Sequence, residues 1–198
     1  MGAVQKKLKA PSQKRLPKAL RHDQCVALLG AVRSPVCRGV LTLMYGSRLR
    51  IGEAVKVKVA DVDAERMVVW VVGKGNKERL APLARPLYED LRRMWAAHGN
   101  PQWLFGNKRG TKHINAGVAS KAFALARLAA GLEEEVTPHC LRHSFPTRLI
   151  KEGVPAETVR ILLGHASIRT TQAYLHLTEA PRKRINDTVD GFSAPLFD

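Results

Sequence analysis

The sequence predicts an α+β fold that is mainly helical and contains one small three-stranded antiparallel sheet. Apolar residues recur at helical spacing through most of the chain, whereas residues 55–83 show the alternation and the β-branched runs typical of strands. The chain has 198 residues and is 45% hydrophobic, which is enough for one good hydrophobic core. We therefore expect one main domain in which a short sheet interrupts a helical chain.

The first helices are marked by an apolar stripe and by capping residues. Ser34-Pro35 fits an N-cap followed by a first-turn proline, and it predicts a helix that continues through Met44. The next segment, YGSRLRIGEA (45–54), is predicted to hold a short helical piece. An earlier helix is predicted from Asp23 onward by apolar residues at helical spacing, namely Cys25, Val26, Leu28, Leu29 and Val32.

Three strands are predicted in the middle of the chain. The run VKVKVADVD (55–63) alternates apolar and charged residues, which is the period of a half-buried strand. The runs MVVWVV (67–72) and ERLAPL (78–83) predict a second and a third strand. Between them lies GKGN (73–76), where glycines can take the positive φ values that a tight hairpin needs. These segments predict the antiparallel sheet.

The rest of the chain is predicted to be helical. Thr137-Pro138 fits an N-cap and first-turn proline, Gly164 fits a C-cap, and Ser167 can cap the helix that contains Tyr174. The predicted helices are Pro86–Ala97, Asn115–Leu128, Pro138 to about Lys151, Pro155–Leu163, the helix with Tyr174, and a basic helix near Arg182–Thr188.

The charge balance indicates a polyanionic partner. Thirty-three Lys and Arg against 17 Asp and Glu give a net charge of +16 and a pI near 10.3. A folded domain with this excess repels itself, and a nucleic acid offsets that repulsion by exchanging counterions for Lys and Arg. Residues 1–21 carry seven of these cations and no acidic residue, and Pro11 and Pro17 break helical continuity. We expect an extended basic arm there.

Other classes of protein are disfavoured. No apolar run approaches the roughly 18 residues that a membrane span needs, and the basic N-terminus lacks the apolar segment of a secretory signal. We therefore expect a cytoplasmic protein with no membrane partner. Cys25, Cys37 and Cys140 are widely separated and form no CxxC pair, which argues against a disulfide framework and against a zinc site.

Six polar residues stand where a packed core would not need them. On a helix, His139 and Arg142 share a face because they are three residues apart. Each of the six alone is weak evidence, since a lone histidine or a hairpin lysine is usually structural or solvated. The six residues are Arg50, Lys74 at the hairpin tip, His139, Arg142, His165 after Gly164, and Tyr174.

Together the six residues match the needs of one reaction, the attack of a tyrosine on a phosphodiester. The planar fork of arginine is suited to the non-bridging phosphate oxygens. The leaving oxygen needs a proton donor, and a phenol with a pKa near 10 needs help to lose its proton, because only about one in a thousand is ionised at pH 7. Two arginines, one lysine and two histidines could meet these needs without a metal.

Four motifs carry a resemblance to a known family. They are LRIGEA, VVGKGNKERLAPL, TPHCLRHSFPTRLI and LLGHASIRTTQAYLH, and they follow one another at family-like separations. From about Leu16 to Leu177 the chain resembles the catalytic domain of the tyrosine recombinases, or phage integrase family, and in particular its bacterial Xer-like branch.

The resemblance implies a site-specific recombinase that cuts and rejoins DNA through a 3′-phosphotyrosyl intermediate, with no ATP and no other cofactor or metal. It implies double-stranded DNA as partner and a homo-oligomer on DNA, a tetramer in synapsis. Glu53 is expected to support the site by orienting an arginine. The implied roles are Tyr174 as nucleophile, Arg50 and Arg142 on the phosphoryl oxygens, Lys74 as general acid, His139 assisting proton transfer, and His165 hydrogen-bonded to the phosphate.

The expected organisation is a basic arm (1–20), a catalytic domain (21–178) and a C-terminal helix and tail (179–198). Two other functions stay open: a non-catalytic DNA-binding accessory protein that retains the fold, and a DNA-relaxing topoisomerase with the same chemistry. Members of the family usually carry an N-terminal helical DNA-binding domain, and here only the basic arm stands in that place.

Two residues depart from the pattern of the resembling family. Ser47-Arg48 stands where the family often has a small residue followed by glycine, so a bulky cation is expected close to Arg50. Pro146 falls inside the helix that starts at Pro138, where it cannot donate a hydrogen bond to the carbonyl of Arg142. A local kink is therefore predicted just after the His139–Arg142 pair.

Overall fold

The computed structural model describes residues 19–73, 75–76, 78–162, 187, 190 and 191, and for Ile161 and Leu162 only the backbone. It confirms the predicted α+β class, with helices around one small antiparallel sheet. The helices are α1 (His22–Gly30), α2 (Pro35–Gly46), α3 (Ile51–Ala54), α4 (Arg85–Ala96), α5 (Ala116–Ala129), α6 (Pro138–Lys151) and α7 (Ala156–Leu162). The strands are β1 (Val62–Asp63), β2 (Val68–Val72) and β3 (Glu78–Pro82).

Polar side chains cap the first turns of α2 and α5, as the sequence predicted for Ser34 but not for Asn115. Ser34 is the N-cap of α2, and its side-chain oxygen accepts a hydrogen bond from the backbone N–H of Cys37 at 3.3 Å. Asn115 caps α5 in the same way, since it accepts from the backbone N–H of Gly117 at 2.7 Å. The helix α6 begins at Pro138, as predicted, and runs without interruption through Pro146.

The sheet has the order β1-β2-β3, and both pairs of strands are antiparallel. In the register of β2 and β3, Val69 faces Ala81 and Val71 faces Arg79. At the hairpin, Gly75 and Asn76 have φ values of 75° and 55°, as a tight turn requires. The second and third strands are therefore confirmed within one residue of their predicted ends.

The prediction of a strand over residues 55–63 is wrong except for its last two residues. Val55 and Val57 are buried and Lys56 is exposed, but this alternation arises in the turn that follows α3. There the carbonyl of Val57 accepts a hydrogen bond from the N–H of Leu104, and a 3₁₀ turn (Val59–Asp61) follows. A period of two therefore marked the burial of these valines, whereas their backbone N–H groups donate to the carbonyls of Ile51 and Ala54 in α3.

The helix α2 lies at the centre of the core and contacts α3, α4, α5 and α6. Tyr45 of α2 packs edge-on against Phe145 of α6, with ring centroids 5.4 Å apart. Gly39 lets the Phe105 ring approach closely, since a Cβ at position 39 would lie 2.9 Å from a ring carbon. This packing holds the C-terminal end of α2, and with it α3, next to α6. Within the described residues, no helix has the length and apolar character to cross a membrane.

Candidate active site

Three of the six predicted site residues lie within the described part of the chain, and the fold brings them together. Arg50 is the N-cap residue of α3, while His139 and Arg142 lie in the first half of α6. The contact between α2 and α6 places these two helix segments side by side. The other three predicted residues, Lys74, His165 and Tyr174, lie outside the described residues.

Glu53 is the centre of the site, because three arginines pair with its carboxylate. Its Oε2 accepts a hydrogen bond from the backbone N–H of Arg50 at 2.8 Å, and its Oε1 accepts one from Nη1 of Arg50 at 2.9 Å. The Nη1 atom of Arg142 lies 3.9 Å from Oε2. These contacts confirm that Glu53 holds arginines in place. Glu53 can reach Arg50 because a residue at the third helical position can bond back to the N-cap of its own helix.

The third arginine is Arg79, to which sequence reasoning assigned no special role. It lies on β3, and its Nη2 atom donates a hydrogen bond to Oε2 of Glu53 at 2.8 Å. The alternation along β3 could not have identified it, because Leu80 and Ala81, on opposite faces of the strand, are both buried.

The side chains in the site differ in their access to solvent. Glu53 is 8% exposed, Arg142 13% and Arg79 18%, whereas Arg50 is 58% exposed. Glu53, Arg79 and Arg142 therefore form a floor that is mostly shielded from solvent, and Arg50 extends from it toward solvent. Within the described residues, Nη1 of Arg142 has no hydrogen-bond partner although it is buried. A buried donor without an acceptor is energetically unfavourable, so this nitrogen has an unmet need for an acceptor oxygen.

The electrostatics of the floor reflect an excess of positive charge. Burial alone would raise the pKa of Glu53, but hydrogen bonds and charge attraction, chiefly from Arg79 and then from Arg50, hold it below its ordinary value. Burial first, and then the nearby Arg50 and Arg48, lower the pKa of Arg142 to about 10, and the attraction of Glu53 offsets only part of these effects. The single carboxylate thus does not neutralise the arginines around it.

His139 lies beside these cations on α6, one turn before His143, whose ring it meets edge-on at a centroid distance of 4.7 Å. The residue is exposed, yet its pKa is lowered, first by partial burial of the ring and then by Arg142, Arg50 and Arg48. Its imidazole is therefore neutral at pH 7 in the absence of a ligand, and a neutral ring can accept a proton. A bound anion would reverse the effect of the neighbouring cations on this pKa.

The arrangement is suited to bind a tetrahedral oxyanion such as a phosphate group. Guanidinium groups present paired N–H donors that match two phosphate oxygens, and the buried site strengthens each charge-assisted hydrogen bond. The fixed carboxylate of Glu53 holds the arginines before the ligand arrives, so little reorganisation is needed on binding.

Comparisons with known proteins show which proteins this chain is similar to. The chain is 39% identical over 164 residues to the putative integrase/recombinase y4qK of Sinorhizobium fredii (strain NBRC 101917 / NGR234), a match that covers 82% of this chain and 53% of that protein. It is 38% identical over 179 residues to tyrosine recombinase XerC of Escherichia coli O127:H6 (strain E2348/69 / EPEC), covering 85% and 58%. The chain thus spans little more than half the length of these relatives.

The fold is also shared with a protein of solved structure. A lambda integrase tetramer bound to a Holliday junction matches with a TM-score of 0.65 and 21% identity, over 80% of this chain and 50% of the other. At that identity the likeness shows the fold alone. The family model named phage integrase family matches residues 18–180, which is most of the chain. The two relatives named above are an integrase/recombinase and a tyrosine recombinase. This chain therefore belongs to the phage integrase family.

Proposed function

We propose that this chain is the catalytic part of a site-specific DNA recombinase that cuts and rejoins double-stranded DNA through a 3′-phosphotyrosyl intermediate. The observation that carries the proposal is the convergence of Arg50 and Arg142, from distant segments, on the carboxylate of Glu53, with His139 beside them. Family membership supports recombination as the overall activity. The catalytic domain proposed for this activity is residues 21–178, with residues 1–20 as a basic arm and 179–198 as a C-terminal helix and tail.

In the proposed reaction the phenolic oxygen of Tyr174 attacks the scissile phosphorus. A tyrosyl O–P bond forms as the bond to the 5′-oxygen breaks, and Lys74 gives that oxygen its proton. Arg50 and Arg142 bind the non-bridging oxygens, with His165 as a further donor, and His139 accepts or returns a proton. Because the phosphotyrosyl bond retains the energy of the broken bond, a free 5′-hydroxyl can reverse the step and rejoin the strand without ATP.

The proposed partners are duplex DNA and further copies of this chain. The net charge of +16 favours a phosphate-rich partner. Complete exchange between two duplexes breaks and rejoins four strands, so four copies, each with one Tyr174, would supply one nucleophile per strand. The lambda integrase tetramer on a Holliday junction, which has the same fold, supports this assembly.

A covalent trapping experiment tests the proposal. The protein is incubated with duplexes that carry candidate sites and a nick near the cleavage position. After cleavage, the short fragment that carries the free 5′-hydroxyl diffuses away, which prevents rejoining. A denaturing gel should show a protein–DNA adduct with wild type and none with Tyr174→Phe. Tyr88→Phe, a half-buried tyrosine of α4, is the matched control and should form the adduct.

A second candidate is a non-catalytic DNA-binding accessory protein that retains the fold. The net charge of +16 is compatible with it, because positive charge alone provides for DNA binding and not for cleavage. If wild type binds a site that another recombinase of the family cleaves, yet never forms an adduct there, the catalytic proposal is wrong and the accessory function is supported.

A further inference from the structure

A basic loop immediately precedes α5. The basic loop comprises residues 107–113, with the sequence NKRGTKH, and it carries Lys108, Arg109 and Lys112. All three side chains are exposed, and within the described residues none of them pairs with a carboxylate. Other exposed arginines do form such pairs, namely Arg21, Arg66, Arg93 and Arg160. The positive charge of the basic loop is therefore not offset by the protein itself.

Two asparagines hold the backbone of the basic loop in one shape. The side chain of Asn107 accepts a hydrogen bond from the N–H of Thr111 at 3.1 Å, and its backbone N–H donates to the carbonyl of Lys112 at 2.7 Å. Asn100, which is only 6% exposed, donates from Nδ2 to the carbonyl of Gly110 at 2.7 Å. The cations thus stand on a fixed backbone, and little backbone entropy is lost when they bind a ligand.

The charge of the chain changes sign from one end of α5 to the other. Residues 91–132 include seven Lys and Arg and no Asp or Glu, whereas residues 133–135 are three consecutive glutamates. The basic loop precedes the first turn of α5, and the glutamates follow its last turn. The 14 residues of α5 separate the two ends by about 21 Å. A polyanion is therefore attracted to the beginning of α5 and repelled from its end.

The base of the basic loop is joined to the segment that follows α3. The N–H of Leu104 donates to the carbonyl of Val57 at 3.1 Å. The ring of Trp103 meets the ring of His113 at a centroid distance of 5.1 Å, and Nζ of Lys58 lies 5.9 Å from the same indole ring. The helices α3 and α5 also pack against each other. The basic loop and the candidate active site thus belong to one packed unit, and a long ligand can contact both.

We propose that the basic loop binds the phosphate backbone of a DNA duplex through Lys108, Arg109 and Lys112, at phosphates other than the one in the candidate active site. The inference rests on the proposed function for the identity of its partner, but it requires no cleavage. Contacts to phosphates position a protein on DNA and carry no sequence information. The basic loop should therefore add affinity for every duplex alike and hold the DNA beside the site.

The salt dependence of DNA binding tests the inference. Binding of the full chain to a labelled duplex is measured by fluorescence anisotropy at about 50–200 mM salt. The double variant Lys108→Gln/Arg109→Gln should bind about ten-fold more weakly than wild type. Its slope of log affinity against log salt concentration should be less steep by up to about 2, because each lost phosphate contact releases about one counterion fewer.

The matched control is the double variant Lys151→Gln/Arg160→Gln. It removes the same charge from two exposed cations, of which one is adjacent to Glu152 and the other pairs with Glu157. This control should keep the slope of the wild type. If the basic-loop variant also keeps that slope, or if both double variants lose it equally, the basic loop makes no specific phosphate contact and the inference is overturned.

A tethered cleavage reagent gives a second, independent test. The three cysteines of the chain, Cys25, Cys37 and Cys140, are buried, so Thr111→Cys adds an exposed thiol to which an iron chelate can be attached. Radicals formed at the chelate should cut the bound duplex close to the basic loop. The control Lys151→Cys, at the end of α6 away from its histidines, should not cut it. Cuts from both variants, or from neither, would contradict the inference.

Failure of the inference and failure of the proposed function give different results. If the wild type forms no covalent adduct but Lys108→Gln/Arg109→Gln loses affinity and slope, the proposed function is wrong and the basic loop still binds DNA. If the wild type forms the adduct and this variant binds like the wild type at every salt concentration, the proposed function stands and the inference is wrong.

Discussion

Glu53 determines the geometry of the site more than any arginine that it holds. It receives Arg50 from its own helix, Arg79 from β3 and Arg142 from α6, and its side chain is almost fully buried. Buried ion pairs of this kind contribute little net stability compared with apolar packing, but removing one partner leaves a buried charge without compensation. The loss of Glu53 should therefore be far more damaging than the loss of a surface carboxylate.

The variant Glu53→Gln measures this effect. We expect the free energy of unfolding to fall by about 3 kcal/mol at pH 7, because Arg79 and Arg142 lose their counter-charge. Urea denaturation gives the value. Asp23→Asn, which breaks the exposed pair with Arg21, is the control and should leave the urea midpoint unchanged. Equal midpoints for the two variants would contradict the organising role of Glu53.

The difference in stability between wild type and Glu53→Gln should also depend on pH. The pKa of Glu53 is lowered in the folded protein, so its charged form contributes stability that is complete above the ordinary value of 4.5. That contribution is lost as the pH falls through the folded pKa. The difference in stability between wild type and Glu53→Gln should thus be constant from pH 7 to about 5 and shrink below 4.5. A difference that grows on acidification would refute this assignment.

The pKa of His139 should change when an anion binds in the site. Its pKa lies below 6.5 in the free protein, because of partial burial and the cations Arg142 and Arg50. NMR titration of the imidazole protons should show this, with the His139→Gln variant assigning the signal. Inorganic phosphate should raise the pKa of His139, since it offsets the cations. A pKa that phosphate leaves unchanged would place the bound anion away from α6.

At the scale of elements, α6 carries both predicted residues of its motif and an internal proline. The amide nitrogen of Pro146 cannot donate to the carbonyl of Arg142, yet the helix continues to Lys151. Two neighbouring hydroxyl groups, those of Ser144 and Thr147, donate to carbonyls four residues earlier, at 2.7 and 2.8 Å. Such back-bonding bends helices, and it adds a second cause for the kink that is predicted near Pro146.

Replacing the proline tests its cost. Pro146→Ala restores a donor for the carbonyl of Arg142, and we expect the free energy of unfolding to rise by about 1–3 kcal/mol. Thermal or urea unfolding measures the change. Pro86→Ala is the control, because Pro86 lies in the first turn of α4 where no donor is needed. A decrease in stability for Pro146→Ala would mean that the packing of the ring outweighs the missing hydrogen bond.

At the scale of the whole molecule, the excess of positive charge should control DNA binding. Residues 1–18, which are most of the basic arm, contain six cations and no acidic residue. If this arm contacts DNA phosphates, its deletion should reduce the steepness of log affinity against log salt concentration by up to about 5. Binding of a duplex by fluorescence anisotropy at 50–200 mM salt gives the slopes. Identical slopes for the full and the shortened chain would show that the arm makes no phosphate contacts.

The helices and the hairpin were predictable because their signals are local. Ser34 and Asn115 act within three residues along the chain, and a glycine-rich tip between two β-branched runs specifies a hairpin without reference to the rest of the fold. The strand over 55–63 was wrong for a complementary reason. Val55 and Val57 point into the core from a turn, and a burial period of two does not reveal which backbone groups pair.

The sequence by itself determined the fold class, the family and which residue types are available for phosphate chemistry, since motif spacing and helical or strand periods are properties of neighbouring residues. Only the tertiary structure decided that Arg79 joins Arg50 and Arg142 on Glu53, and that Arg48 is buried in a left-handed conformation. Hydrogen bonds and charge repulsion act over a few ångströms in space. Local sequence patterns do not encode such distances between segments that are far apart in the chain.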